Sequence, residues 1–116
     1  MEENLVVEMK QRIEELKVDL NFREAIRANK ALASPTRLSI LTLLNARGPL
    51  TSTEITQIIG IRQSTLSRHM SMLKSAGAVV ERKDGKSILY SFDDLSFVQA
   101  LGYTRAAIDL MGSEIN

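Results

Sequence analysis

Apolar positions recur with a helical period along nearly the whole chain and with a two-residue period in one short stretch. Leu5, Met9, Ile13, Leu16 and Leu20 step by four, four, three and four among Glu, Lys, Gln and Arg, which predicts an amphipathic helix with a narrow stripe. A stripe of this kind needs a partner, either its own domain or the same helix of a second subunit. Asn21, with Glu24 three residues on, has the spacing of a capping box and opens a second helix that turns Phe22, Ala25, Ile26 and Leu32 inward and ends near Ala33. Ser34-Pro35 then reads as an N-cap with proline at the first helical position. Leu38, Ile40, Leu41, Leu43 and Leu44 give that third helix a wide apolar face until Arg47-Gly48-Pro49 stops it.

A second capping-box spacing, Thr51 with Glu54, opens a short helix through Ile55, Ile58 and Ile59 that closes at Gly60. A tight turn leads into a helix from about Gln63 to Ala76, with Leu66, Met70 and Leu73 inward and Gly77 placed to end it. Two short helices across a tight turn form a helix-turn-helix. Val79 to Arg82 and Ser87 to Phe92 flank Asp84-Gly85, a hairpin signal, with Ile88, Tyr90 and Phe92 on one face of the return strand. From Asp94 onward Leu95, Phe97, Val98, Leu101, Ile108, Leu110 and Met111 cover more than one face of a last helix, more than a monomer needs. The fold class expected is mainly α with a small β-hairpin wing (α+β), a winged helix-turn-helix. It forms one domain over 1–116, with a helix-turn-helix core at 21–92 between dimerisation helices at 1–20 and 93–116. The expected dimer contacts are Leu5, Met9, Ile13, Leu16, Leu20, Phe97, Leu101, Ile108 and Met111.

A chain of 116 residues is long enough for one core and too short for two. Its net charge of +1 hides a segregation. Residues 1–20 carry three basic side chains against six acidic, and 91–116 one against four, whereas 21–50 carry five against one and 51–90 six against three. A basic middle between acidic ends attracts phosphates to the centre of the chain. No apolar run is long enough to span a membrane and the first residues are acidic, so a cytoplasmic protein is expected. Cysteine is absent, which removes disulfides, thiolate metal sites and cysteine nucleophiles.

On the helix from Gln63, the positions not spent on the core are Gln63, Ser64, Thr65, Ser67, Arg68, His69, Ser71 and Lys74. Short polar side chains let a helix sink into the major groove, where Gln reaches toward adenine and Arg toward guanine. Arg62 before the helix, Lys74 near its end, and Arg82, Lys83 and Lys86 in the hairpin supply charge for phosphates. Any one of these cations alone reads as a solvated surface group; the set, placed around a helix-turn-helix, reads as a double-stranded DNA interface.

Three blocks carry a family resemblance. They are Lys30-Ala-Leu-Ala-Ser-Pro-Thr-Arg-Leu-Ser-Ile-Leu-Thr-Leu-Leu44, Gln63-Ser-Thr-Leu-Ser-Arg-His-Met-Ser-Met-Leu-Lys-Ser-Ala-Gly77, and the hairpin from Arg82 to Tyr90. From about Lys30 to Phe92 the chain resembles the ArsR family of bacterial and archaeal winged-helix repressors. The resemblance implies a homodimer paired through its outer N- and C-terminal helices, and a repressor that reads an inverted repeat. It places Gln63, Ser64, Thr65, Ser67, Arg68 and His69 on the recognition helix and Arg82, Lys83 and Lys86 on the wing. Arg62 departs from the small polar residue usual at its position, which weakens an N-cap there. Many members release DNA when metal binds cysteines near the helix before the recognition helix, or His and carboxylate pairs on the last helix. This chain has no cysteine and no histidine after Phe92, and Asp93, Asp94, Asp109 and Glu114 alone make a poor selective site. No metal, no cofactor and no membrane partner is expected, and no motif specifies a small-molecule effector.

His69, the single histidine, reads as a base or phosphate contact, then as a helix-surface or partly buried residue bonded to Thr65 one turn earlier, and last as a metal ligand. Catalysis is not expected: Ser67 and His69 diverge on a helix, and neither a glycine-rich phosphate loop nor an orienting acid is at hand. The alternative to DNA binding is a winged helix that docks on another protein.

Overall fold

The computed structural model describes the backbone of residues 2–115 and the side chains of 2–106, 108 and 109. Met111, one of the expected dimer contacts, lies outside the described side chains. Six helices and three strands follow in the order α1 (Glu3–Lys17), α2 (Leu20–Leu32), α3 (Pro35–Arg47), β1 (Leu50–Thr51), α4 (Ser52–Ile59), α5 (Gln63–Ser75), β2 (Val79–Asp84), β3 (Ser87–Phe92) and α6 (Asp94–Ile115).

Local chemistry sets most of the boundaries. Ser34 Oγ accepts from the Arg37 N–H with Pro35 at the first helical position, as expected. Thr51 and Glu54 close a reciprocal capping box, each side chain accepting from the other's backbone N–H. The start of α2 differs from the expectation. Asp19, not Asn21, is the N-cap, its Oδ1 accepting from Asn21 N–H at 2.9 Å and Phe22 N–H at 3.1 Å, while Glu24 pairs with Arg27 instead. A carboxylate two residues upstream simply captures the free amides first, so Leu20 belongs to α2 rather than to the stripe of α1, and it is exposed. After α5, Ala78 N–H reaches Leu73 O and Gly77 N–H reaches Lys74 O, a pair of bonds that requires the left-handed φ of 74° at Gly77.

The sheet is antiparallel in the order β1-β3-β2. The two-residue β1 has no sequence signal; Leu50 and Thr51 pair with Tyr90 and Leu89 and so tie the start of α4 to the hairpin. Asp84 pairs with Ser87, so the loop is Gly85-Lys86 rather than Asp84-Gly85, with Gly85 at φ 64° in the first loop position. On β3, Tyr90 is buried and Phe92 half-buried, but Ile88 lies near the tip and is exposed.

One core unites Ile40, Leu41 and Leu44 of α3, Ile55 of α4, Leu66, Met70 and Leu73 of α5, Val79 and Tyr90 of the sheet, and Phe97 and Ala100 of α6. The buried face of α2 consists of Ala25, as expected, with Ala28 and Ala31; Leu32 packs partly against the same core, Phe22 is half-buried, and Ile26 is exposed. Small side chains let α6 approach closely, and Asn29 Nδ2 crosses to Thr104 Oγ1 at 2.9 Å. Ile26, read as inward on α2, Leu38 on the apolar face of α3, and Ile58 on α4 are exposed because each lies on the outer shoulder of its helix. Phe97, read as a dimer contact, packs edge-on to Phe92 inside its own chain. Leu101 packs partly against the same core, while Ile108 is exposed.

Ile55 is wholly buried and Ile58, three residues on, is 58% exposed. Ile55→Ala is therefore expected to cost about 2–5 kcal/mol of unfolding free energy and Ile58→Ala less than about 1 kcal/mol. Denaturant titration of the two variants checks this, and equal losses would contradict the packing of α4.

Candidate nucleic-acid interface

The stripe Leu66, Met70 and Leu73 seats α5 on the core and dictates what α5 shows to solvent. Ser64, Ser67, Arg68, Ser71 and Lys74 are exposed, Thr65 and His69 are half-buried, and Gln63 is exposed at the first turn, its amide 3.5 Å from Thr56 Oγ1. Arg62 occupies the N-cap without a side-chain capping bond and is exposed, so the free amides of the first turn stay available to an anion. The row Ser64, Ser67, Arg68 and Ser71 follows helical spacing along one side, opposite the buried stripe.

Arg82, Lys83 and Lys86 are all exposed on the hairpin. Strand alternation divides them: Lys83 shares the face of Glu81, Arg82 points to the other, and Lys86 sits in the loop at the tip. Lys74, expected to be a phosphate contact, forms an ion pair with Glu81 of β2. Glu81 also stands opposite Tyr90 on the neighbouring strand, and the phenol is pushed above its ordinary value, first by burial and then by that carboxylate. Glu81 thus joins the end of α5 to the hairpin, and Lys74 serves that joint. A positive charge on an exposed helix gives no sequence sign of such pairing.

His69 is bonded to a residue that the sequence reading left without a role. Arg37 of α3 directs Nη1 to His69 Nδ1 at 3.3 Å, Nε to Ala31 O at 3.0 Å and Nη2 to Lys30 O at 3.0 Å. The bond to Thr65 considered for His69 is replaced by this one. Burial, then the cations Arg37 and Arg68, hold the imidazole below its ordinary value of 6.5. Among the described residues no three or more His, Asp or Glu side chains cluster as a metal site would require, and no helix is long and apolar enough to cross a membrane.

The terminal helices present a different surface. No residue of α1 is buried; Leu5 and Ile13 are exposed, and Met9 and Leu16 are half-covered. Between α2 and α6 lies an open apolar groove of about 460 Å³ lined by Phe22, Ala25, Ile26, Asn29, Thr104 and Ile108, among others.

Comparison with known proteins agrees with this geometry. Residues 32–82 match the helix-turn-helix domain family. The chain is 43% identical over 72 residues to the HTH-type transcriptional regulator NmtR of Mycobacterium tuberculosis, covering 62% of this chain and 59% of that protein. It is 38% identical over 74 residues to the uncharacterised HTH-type transcriptional regulator MJ1325 of Methanocaldococcus jannaschii, covering 63% of this chain and 83% of that one. Among solved structures it superposes on the homodimeric winged helix-turn-helix DNA-binding domain of Mb0332 from Mycobacterium bovis, a possible ArsR-family regulator. That match has a TM-score of 0.60 and 33% identity, covering 76% of this chain and 82% of that domain. The chain spans between 51% and 61% of the length of NmtR and two further curated relatives.

The folded state resists a proton on His69 that the unfolded chain accepts. Stability from this site is therefore intact above pH 6.5 and is lost as the pH falls below it. The melting temperature is expected to drop more steeply between about pH 7 and pH 5 for the wild type than for His69→Gln. Parallel pH profiles would contradict the environment assigned to His69.

Proposed function

The chain belongs to the ArsR family of winged helix-turn-helix transcriptional regulators, and on that footing we propose that it represses transcription by binding an inverted-repeat operator as a homodimer. The observation that carries the reading is the division of α5: Leu66, Met70 and Leu73 are buried, so Ser64, Ser67 and Arg68 face outward as a low, polar ridge. Such a ridge fits the major groove, with Gln63, Ser64, Thr65, Ser67, Arg68 and His69 toward the bases or the flanking strands and Arg62, Arg82, Lys83 and Lys86 toward phosphates. The basic balance of residues 21–90 supports it, since both acidic stretches lie outside that core.

Dimerisation is supported by surface that a monomer has no reason to leave open. The chain exposes 8014 Å² for 12.9 kDa, against roughly 6,300 Å² for a folded monomer of that mass. The excess exceeds the roughly 800 Å² that each partner buries in a standard interface. Met9, Ile13 and Leu16 on α1, with Ile26 and Ile108 beside the α2–α6 groove, are apolar parts of that surface. A two-fold dimer presents two equivalent copies of α5, hence the inverted repeat. Control by a metal held on cysteine or paired histidines is not part of the reading, because the chain has no cysteine and its single histidine is engaged by Arg37.

Arg68→Ala is expected to relax base preference and to cost on the order of 1–3 kcal/mol at an operator selected from random duplexes. Lys83→Ala with Lys86→Ala should instead weaken binding to all sequences alike and flatten its salt dependence. Fluorescence anisotropy over a salt series separates the two; duplex binding that ignores salt would favour a protein-docking module. Met9→Glu with Ile13→Glu, at positions that no monomer core uses, is expected to shift sedimentation from dimer to monomer. An undiminished dimer would remove α1 from the interface.

A further inference from the structure

Arg37 has three separate jobs for one guanidinium. Its Nε and Nη2 bond the last carbonyls of α2, Ala31 O and Lys30 O, each at 3.0 Å, and its Nη1 lies 3.3 Å from His69 Nδ1. Its own backbone N–H is held by Ser34 Oγ at 3.2 Å. The head group is thereby fixed by α2 and α3 before it meets α5. A guanidinium has only donors, so the contact with Nδ1 is a hydrogen bond only when Nδ1 carries a lone pair. A neutral imidazole with a bare Nδ1 carries its proton on Nε2. The charged groups acting on the ring, Arg37 from α3 and Arg68 on α5, are both cations, and on α2 the carbonyls of Lys30 and Ala31 accept from Arg37.

We propose that Arg37 is a positioning residue that fixes His69 in one tautomer, Nε2–H, and so makes it a dedicated hydrogen-bond donor to a phosphate oxygen of bound DNA. This rests on the reading of α5 as the DNA-reading helix. The choice of phosphate follows from position. His69 lies three residues after Leu66 and one before Met70, at roughly 60° from the buried stripe rather than on the outward ridge of Ser64, Ser67, Arg68 and Ser71. A side chain on the flank of a helix in the major groove faces the sugar-phosphate strand beside the groove more directly than the base edges. An Nε2–H donor suits that oxygen, whereas a ring free to switch tautomer would at times face it with a lone pair.

The tautomer is measured without DNA, by long-range ¹H–¹⁵N correlation of the imidazole in the free full-length protein at neutral pH. Expected is a pyridine-type Nδ1 and a pyrrole-type Nε2 in the wild type, changing to a tautomer mixture with a raised pKa in Arg37→Met. A protonated Nδ1 in the wild type overturns the proposal. So does an unchanged tautomer in an Arg37→Met protein whose backbone amide spectrum shows it folded; if that variant does not fold, the wild-type spectrum decides alone. DNA is tested separately with His69→Phe, expected to lose about tenfold or more in affinity for a selected operator and for random duplex alike. Loss at the operator alone puts the acceptor on a base edge and overturns the phosphate assignment, and no loss overturns the donor role. A wild type that binds no duplex in dilute buffer overturns the DNA reading of α5 itself, while the tautomer measurement still judges Arg37.

Discussion

The seating of α5 through Leu66, Met70 and Leu73 is the constraint on which the rest depends. These side chains have essentially no exposure, and they meet Ile40 and Leu44 of α3 and Ile55 of α4 in one core. A helix held on three successive turns has no freedom to rotate. Its remaining residues are therefore turned wholly or partly to solvent by geometry, and apart from Met72 they are small, polar or basic. The same burial explains how so short an element presents a fixed reading surface in a chain of this size, because α5 borrows its rigidity from α3 and α4.

Two polar joints then tie that surface to its neighbours. Glu81, opposite Tyr90 in the hairpin, pairs with Lys74 at the end of α5 and so ties the wing to the helix. Arg37 holds the carbonyl end of α2 and the ring of His69, so the helix that borders the apolar groove and the helix proposed to face DNA share one side chain. Asn29, on α2, continues the line to Thr104 on α6. Joined through the backbone of α2, these hydrogen bonds link α6 to α5.

How much of this was legible in the sequence depends on how local each signal is. The Ser34-Pro35 start, the Thr51–Glu54 box and the 66, 70, 73 stripe were readable because capping and helical periodicity involve residues a turn apart. Periodicity did not tell which shoulder of a helix meets the core. Ile26, Leu38 and Ile58 are apolar and exposed, while α2 is buried through alanines, whose small size matters only once α6 is known to lie against them. Phe97 looked like interface because it lies on an over-apolar helix, but its partner Phe92 is in the sheet. The roles of Arg37 and Glu81 had no local sign. Their partners lie 32 and 7 residues away, so only the folded chain brings the charges to their acceptors.

The most direct test of the central claim is an amide-resolved NMR titration of the full chain with a duplex oligonucleotide in dilute buffer. The account predicts that shifts concentrate from Arg62 to Ser75 and from Arg82 to Lys86, and spare α1 and the outer face of α3. Perturbations centred on α1, or on Leu38 and Leu43, with α5 silent, would contradict it.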